Sequence, residues 1–243
     1  MSPAAAPHPF LTTHWSVVHR AAAQDDPDAQ AALAQLCSAC WFPIYAYIRR
    51  TGKNPHDAED LTQGFFARLI EKNFLASADG NKGRLRTFLL TCVQRYLADE
   101  HDHAMTQKRG GGGRIVELDA LTAEQRLAAE PADNLTPERC YQRRWALGMV
   151  DTAMSALQAD YNAQDKAALF AKLRPFLGFS ASVEENYQAT ADALGLKLNT
   201  LKSHIRRLRE QWRDLLMQQV AATLDDPTPD SIKAELAELI ACV

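Results

Sequence analysis

Apolar residues recur at helical spacing along almost the whole chain, and no stretch alternates as a strand or hairpin would, so the pattern predicts an all-α protein. Leu33, Leu36, Cys37, Cys40, Trp41, Ile44 and Ile48 make one stripe, and Pro43 is expected to kink or interrupt the helix that carries it. Residues 49–55 (Arg-Arg-Thr-Gly-Lys-Asn-Pro) read as a polar turn. A second helix over about 56–71 turns Leu61, Phe65, Leu69 and Ile70 inward, while Asp57, Glu59 and Asp60 crowd its first turn, where the helix dipole favours negative charge. After a loop at 77–83, Leu85, Phe88, Leu89, Cys92, Val93, Tyr96 and Leu97 follow the cleanest helical spacing in the chain.

That third helix is expected to end in the polar stretch 99–103. Lys108, Arg109 and four glycines, Gly110 to Gly113, follow, a run that no helix or strand interior tolerates. Residues 117–138 carry Glu117, Asp119, Glu124, Glu130, Asp133 and Glu138 against Arg126, with Pro131 and Pro137 breaking any long helix, which reads as an acidic linker, extended or partly helical. Further periodic segments at about 137–157, 165–177, 183–194 and 199–216 predict a second small helical domain. The pattern divides the chain into domains at 10–109 and 137–216, joined by a flexible linker at 110–136 and followed by an extension at 217–243. In that extension Ile232, Leu236, Leu239 and Ile240 form an amphipathic stripe with no partner evident in the sequence.

Composition adds bounds. The 243 residues are 47% hydrophobic and 23% charged, ordinary for a globular protein, and 27 Lys plus Arg against 30 Asp plus Glu leave a net charge of -3, so a DNA-binding face has to be local. No apolar run approaches the roughly 18 residues of a membrane span, and the start lacks a basic n-region and an apolar h-region, which predicts a cytoplasmic protein with no membrane partner. Five scattered cysteines suit reduced thiols, and the single C-x-x-C of Cys37 and Cys40, with no second pair, suits helix packing better than a metal. No metal or cofactor is expected.

The strongest local signal lies at 187–209. Ala191 is small enough for a close helix crossing, Gly195 suits a left-handed turn, and Asn199 is expected to cap a second helix, which together read as a helix-turn-helix. Leu201, Ile205, Leu208 and Trp212 face its core, while Lys202, Arg206, Arg207, Arg209 and Arg213 populate the other faces with Glu210 as the only acid among them. A helix so placed enters a major groove with Asn199, Thr200, Lys202 and Ser203 near base edges and the arginines on phosphates. The plainer alternative is a solvated basic face on a packing helix.

Leu194-Gly195 followed by Thr200-Leu201-Lys202-Ser203-His204-Ile205 resembles the region-four motif of extracytoplasmic-function (ECF) sigma factors, small sigma-70 family subunits of bacterial RNA polymerase. The stretch 56–66, His-Asp-Ala-Glu-Asp-Leu-Thr-Gln-Gly-Phe-Phe, resembles the family's D-A-E-D-L-x-Q-x-x-F motif in region two. Gly83-Arg84-Leu85-Arg86-Thr87-Phe88-Leu89 and Tyr96-Leu97-Ala98-Asp99 resemble the segment that melts the -10 promoter element. The resemblance covers about 10–215 in the family's order. It implies that Asp57, Glu59, Asp60 and Gln63 dock the beta' clamp of core RNA polymerase, that Lys82, Arg84, Arg86 and Arg95 serve the -10 element, and that Asn199, Thr200, Lys202, Ser203, His204, Arg206, Arg207 and Arg209 serve the -35 element. The partners implied are core polymerase and promoter DNA, and the protein is not an enzyme. Phe88 stands where the family usually has Trp, Tyr96 where it has Asn, and Asp99, Glu100 and Asp102 where the helix end is usually basic.

Control is expected from a Ser/Thr protein kinase, an anti-sigma factor or the chain's own C-terminal extension, and the sequence leaves the three open. Thr51, in a polar turn behind two arginines and beside the acidic helix, is the candidate phosphorylation site. Two other readings remain open at this point. A stand-alone helix-turn-helix regulator would bind duplex DNA without polymerase. An enzyme would draw on the acids and histidines at 99–103, but His101 and His103 diverge on a helix and the glycine run lacks a P-loop ending.

Overall fold

The computed structural model describes Val18, Ala21, residues 29–72, Leu75, 84–106, 123–125, Leu127, 135–178 and 187–242, and every described element is helical. The elements are α1 (Ala29–Arg50), α2 (Pro55–Glu71), α3 (Leu85–Thr106), α4 (Pro137–Ala163), α5 (Ala167–Leu173), a 3-10 turn (Arg174–Leu177), α6 (Tyr187–Ala193), α7 (Leu198–Ala222) and α8 (Pro229–Ile240). They fall into two compact units, Met1–Met149 with Val220–Val243, and Val150–Gln219. The divisions lie inside α4 and α7, so the first half of α4 and all of α8 belong with the N-terminal unit.

The core of the N-terminal unit collects the inward stripe of each helix: Trp41, Ile44, Tyr45 and Ile48 of α1, Phe65, Phe66 and Leu69 of α2, Leu85, Leu89 and Val93 of α3, and Tyr141 and Trp145 of α4. Trp41 and Tyr45 stack with ring centroids 4.8 Å apart. Cys37 and Cys40 lie in the same buried stripe as free thiols, and burial pushes the Cys37 thiol up to about 12. α1 runs unbroken across Pro43, whose ring is buried. Contrary to the sequence expectation, residues 31–50 are long and apolar enough to span a membrane, with mean hydropathy 1.3, but 76% of that window is buried, as a core helix requires.

α3 also outruns its apolar stripe and continues through the acids to Thr106. The physical reason lies on α2, where Arg68 pairs with Asp99 at 2.6 Å and its guanidinium stacks 5.8 Å from the Tyr96 ring centroid. In the 110–136 segment residues 123–125 and Leu127 are helical, while Leu135 and Thr136 lie outside any helix ahead of α4. Ala123 is buried, Leu127 lies on the core, and Glu124 accepts from Tyr45 Oη at 2.7 Å and from Arg49 Nε at 2.5 Å.

The second unit has its own core, with Leu157, Tyr161, Phe170, Leu173, Phe176, Leu177, Ala191, Leu201, Ile205 and Leu208 buried and Trp212 packed beside them. Leu201, Ile205 and Leu208 lie on one face of α7, as their spacing predicts.

Candidate polymerase and DNA interfaces

α2 starts where Asn54 caps it: Asn54 Oδ1 accepts from the Asp57 N–H at 2.9 Å and Asn54 Nδ2 donates to the Asp57 carboxylate at 2.8 Å. Pro55 in the first turn lacks an N–H that would have gone unpaired there. Ala58 and Thr62 point inward, the Thr62 hydroxyl donating to the Ala58 carbonyl at 2.6 Å. Asp57 and Asp60 are consequently exposed, with Glu59 and Gln63 half-buried and joined at 3.3 Å. Asp60 has only a loose pairing with His56, at 3.8 Å, both well solvated. The four sequence-predicted residues thus share an acidic edge at the N-terminal end of α2. Just ahead of it, Thr51 is exposed in the turn after α1 and donates its hydroxyl to the Ile48 carbonyl at 2.7 Å.

The residues expected at the -10 element separate. Lys82 lies outside the described residues, and Arg95 is exposed on α3. Arg84 and Arg86 are both held by α8. Glu235, only 1% exposed, accepts from Arg84 Nε at 2.5 Å and from Arg86 Nε at 2.7 Å. Glu238, one turn on, pairs with Arg84 and accepts from Arg86 at 3.0 Å. Tyr141 Oη donates to the Arg86 carbonyl at 2.9 Å, fixing the backbone beneath. Sequence reasoning missed this cluster because some 150 residues separate its partners. The one available signal was an acid pair at i, i+3 on a tail stripe that lacked a partner.

In the second unit Gly195 has φ +63, and the Leu196 N–H reaches the Ala191 carbonyl at 2.9 Å, closing α6 with a left-handed turn. α7 then begins at Leu198, and the N–H groups of Thr200 and Leu201 bond to the Lys197 carbonyl. Asn199 therefore lies inside the first turn rather than at the cap expected from its residue type. Asn199, Thr200, Lys202, Ser203, Arg206 and Arg207 are exposed and His204 is half-buried. Arg209 is turned to a structural task, donating twice to the Phe176 carbonyl at 3.1 and 3.0 Å. An open groove of about 760 Å³ runs between Tyr187 and Gln188 of α6 and Lys202, Arg206 and Arg213 of α7. Arg206 is answered within the helix only by Glu210, at 3.9 Å. Such a groove suits an anion.

An all-helical unit with an acidic first turn on α2 and a helix-turn-helix with a basic face are the two candidate interfaces. Residues 43–105 match the family model for sigma-70 region 2. An ECF RNA polymerase sigma factor of Mycolicibacterium smegmatis, SigE, is 27% identical over 180 residues, which cover 74% of this chain and 60% of the relative's own length. No solved structure matches. The chain thus carries a sigma-70 region 2 segment and is similar to an ECF sigma factor over about three fifths of that relative's length.

Proposed function

We propose that this protein is a cytoplasmic, non-enzymatic sigma factor that directs bacterial core RNA polymerase to promoters. The observation that carries this reading is the exposed acidic edge of α2 inside the region-2 match, with the helix-turn-helix later in the chain in the family's order. Asp57, Glu59, Asp60 and Gln63 meet the basic beta' clamp of core polymerase, Lys82, Arg84, Arg86 and Arg95 serve the -10 element, and Asn199, Thr200, Lys202, Ser203, His204, Arg206 and Arg207 read the -35 element, with Arg209 holding the helix in place. Residues 10–109 act as region two, 110–136 as the linker and 137–216 as region four. Because polymerase supplies most phosphate contacts, a net charge of -3 is compatible with promoter binding.

Control by a Ser/Thr protein kinase at Thr51 is supported by the exposure of that residue in the turn ahead of α2. A phosphate there sits behind Arg49 and Arg50 and before the positive end of α2, where added negative charge is favoured. Core polymerase reconstituted with the chain is expected to start transcripts at discrete positions on genomic DNA of the source organism that core polymerase alone does not use. Thr51→Glu should raise that output above Thr51→Ala. Transcripts identical to those of core polymerase alone for all variants contradict the assignment, and equal output from the two variants contradicts the phosphate switch alone.

A further inference from the structure

α8 lies beyond the 43–105 region-2 match and belongs to the 217–243 extension, yet it is built into the N-terminal unit. Its apolar face packs through Ile232, Leu236 and Leu239. Between those positions Glu235 and Glu238 present two carboxylates to two guanidiniums, with both oxygens of each carboxylate engaged. Two anions one helical turn apart, held by forked arginine contacts, reproduce the chemistry by which arginine grips phosphates of a nucleic-acid backbone. The helix is capped independently, Thr228 and Ser231 forming a reciprocal capping box with Pro229 in the first turn, so it does not need the arginines to remain helical.

We propose that α8 is an intramolecular occupant of a phosphodiester-binding site formed by Arg84 and Arg86, and that DNA engages these arginines only when α8 is displaced. This rests on the functional reading above, which assigns the two arginines to promoter DNA. Glu235 and Arg86 are both buried, and that pair holds the closed state. Glu238 is 56% exposed and Arg84 28%, so their contact is open to exchange with a competing anion.

Glu238→Gln in the full-length chain removes charge from both arginines and leaves the buried Glu235 in place. The control is Asp230→Asn in the first turn of the same helix, which makes the same change in net charge. The probe is a fluorescein-labelled DNA duplex with a central mismatched bubble, followed by anisotropy. Glu238→Gln is expected to bind about two- to five-fold tighter than wild type at low salt, a range set by exposed ion-pair strengths. Asp230→Asn should match wild type, and adding Arg84→Ala to Glu238→Gln should abolish the gain. Equal affinities for Glu238→Gln and Asp230→Asn overturn the inference. Retention on core polymerase is scored on the same samples: retention without the gain overturns this inference alone, and loss of retention in every sample overturns the sigma reading as well.

Discussion

Gly64 sits on α2 directly beneath the hydroxyl of Tyr96, and a Cβ at that position would overlap Tyr96 Oη. Tyr96 has little room to yield, being buried, edge-on to Phe65 at 5.9 Å and covered by Arg68. Gly64→Ala therefore trades a gain in helix propensity of about 1 kcal/mol against overpacking of about 1–3 kcal/mol. It should lower stability by about 1 kcal/mol in urea unfolding. In a Tyr96→Phe background, where the offending oxygen is gone, the same substitution should be neutral or stabilising. Equal losses in both backgrounds would show that the contact does not set the cost. The departure from the family at Tyr96 is thus matched by the small residue facing it.

At the scale of elements, α8 is held by one apolar stripe and one cluster of two carboxylates with two guanidiniums, and the two respond differently to solution conditions. The hydrogen bond from Arg84 holds the Glu238 carboxyl below the ordinary glutamate range against the opposing effect of desolvation, and Arg86 adds a lesser lowering. A depressed folded-state value means that the contribution is complete above the ordinary glutamate range and is lost as pH falls through the folded value. Amide exchange over 229–240, corrected for its intrinsic pH dependence, should accelerate in that acidic window and with added salt, while Glu238→Gln should flatten both dependences. Glu124 behaves alike, Arg49 holding its carboxyl low, so the described part of the 110–136 segment should loosen in the same window. Acceleration of α8 exchange that is identical in Glu238→Gln would contradict this account.

For the molecule as a whole, the sequence made legible whatever is local. Helical period found the stripes of α1, α2, α3 and α7, Gly195 marked the turn before α7, and the order of motifs carried the resemblance to the family. Contacts between distant segments were illegible, because nothing in the spacing of Arg84 and Arg86 points to Glu235 and Glu238, or of Arg49 to Glu124. The same holds for the end of α3, which polar residues suggested at 99–103 and which Arg68 carries past Asp99. The candidate polymerase edge was legible because capping and exposure both follow from α2 alone. Asp60 is solvated and carries no contact that the fold needs, so its reversal to arginine tests recognition without unfolding the chain. Purified protein passed over a sizing column with bacterial core RNA polymerase should co-elute with it, as wild type or as Thr51→Glu, while Asp60→Arg, folded by its melting curve, should elute alone. Failure of both wild type and Thr51→Glu to co-elute, or co-elution undiminished in Asp60→Arg, would contradict the account.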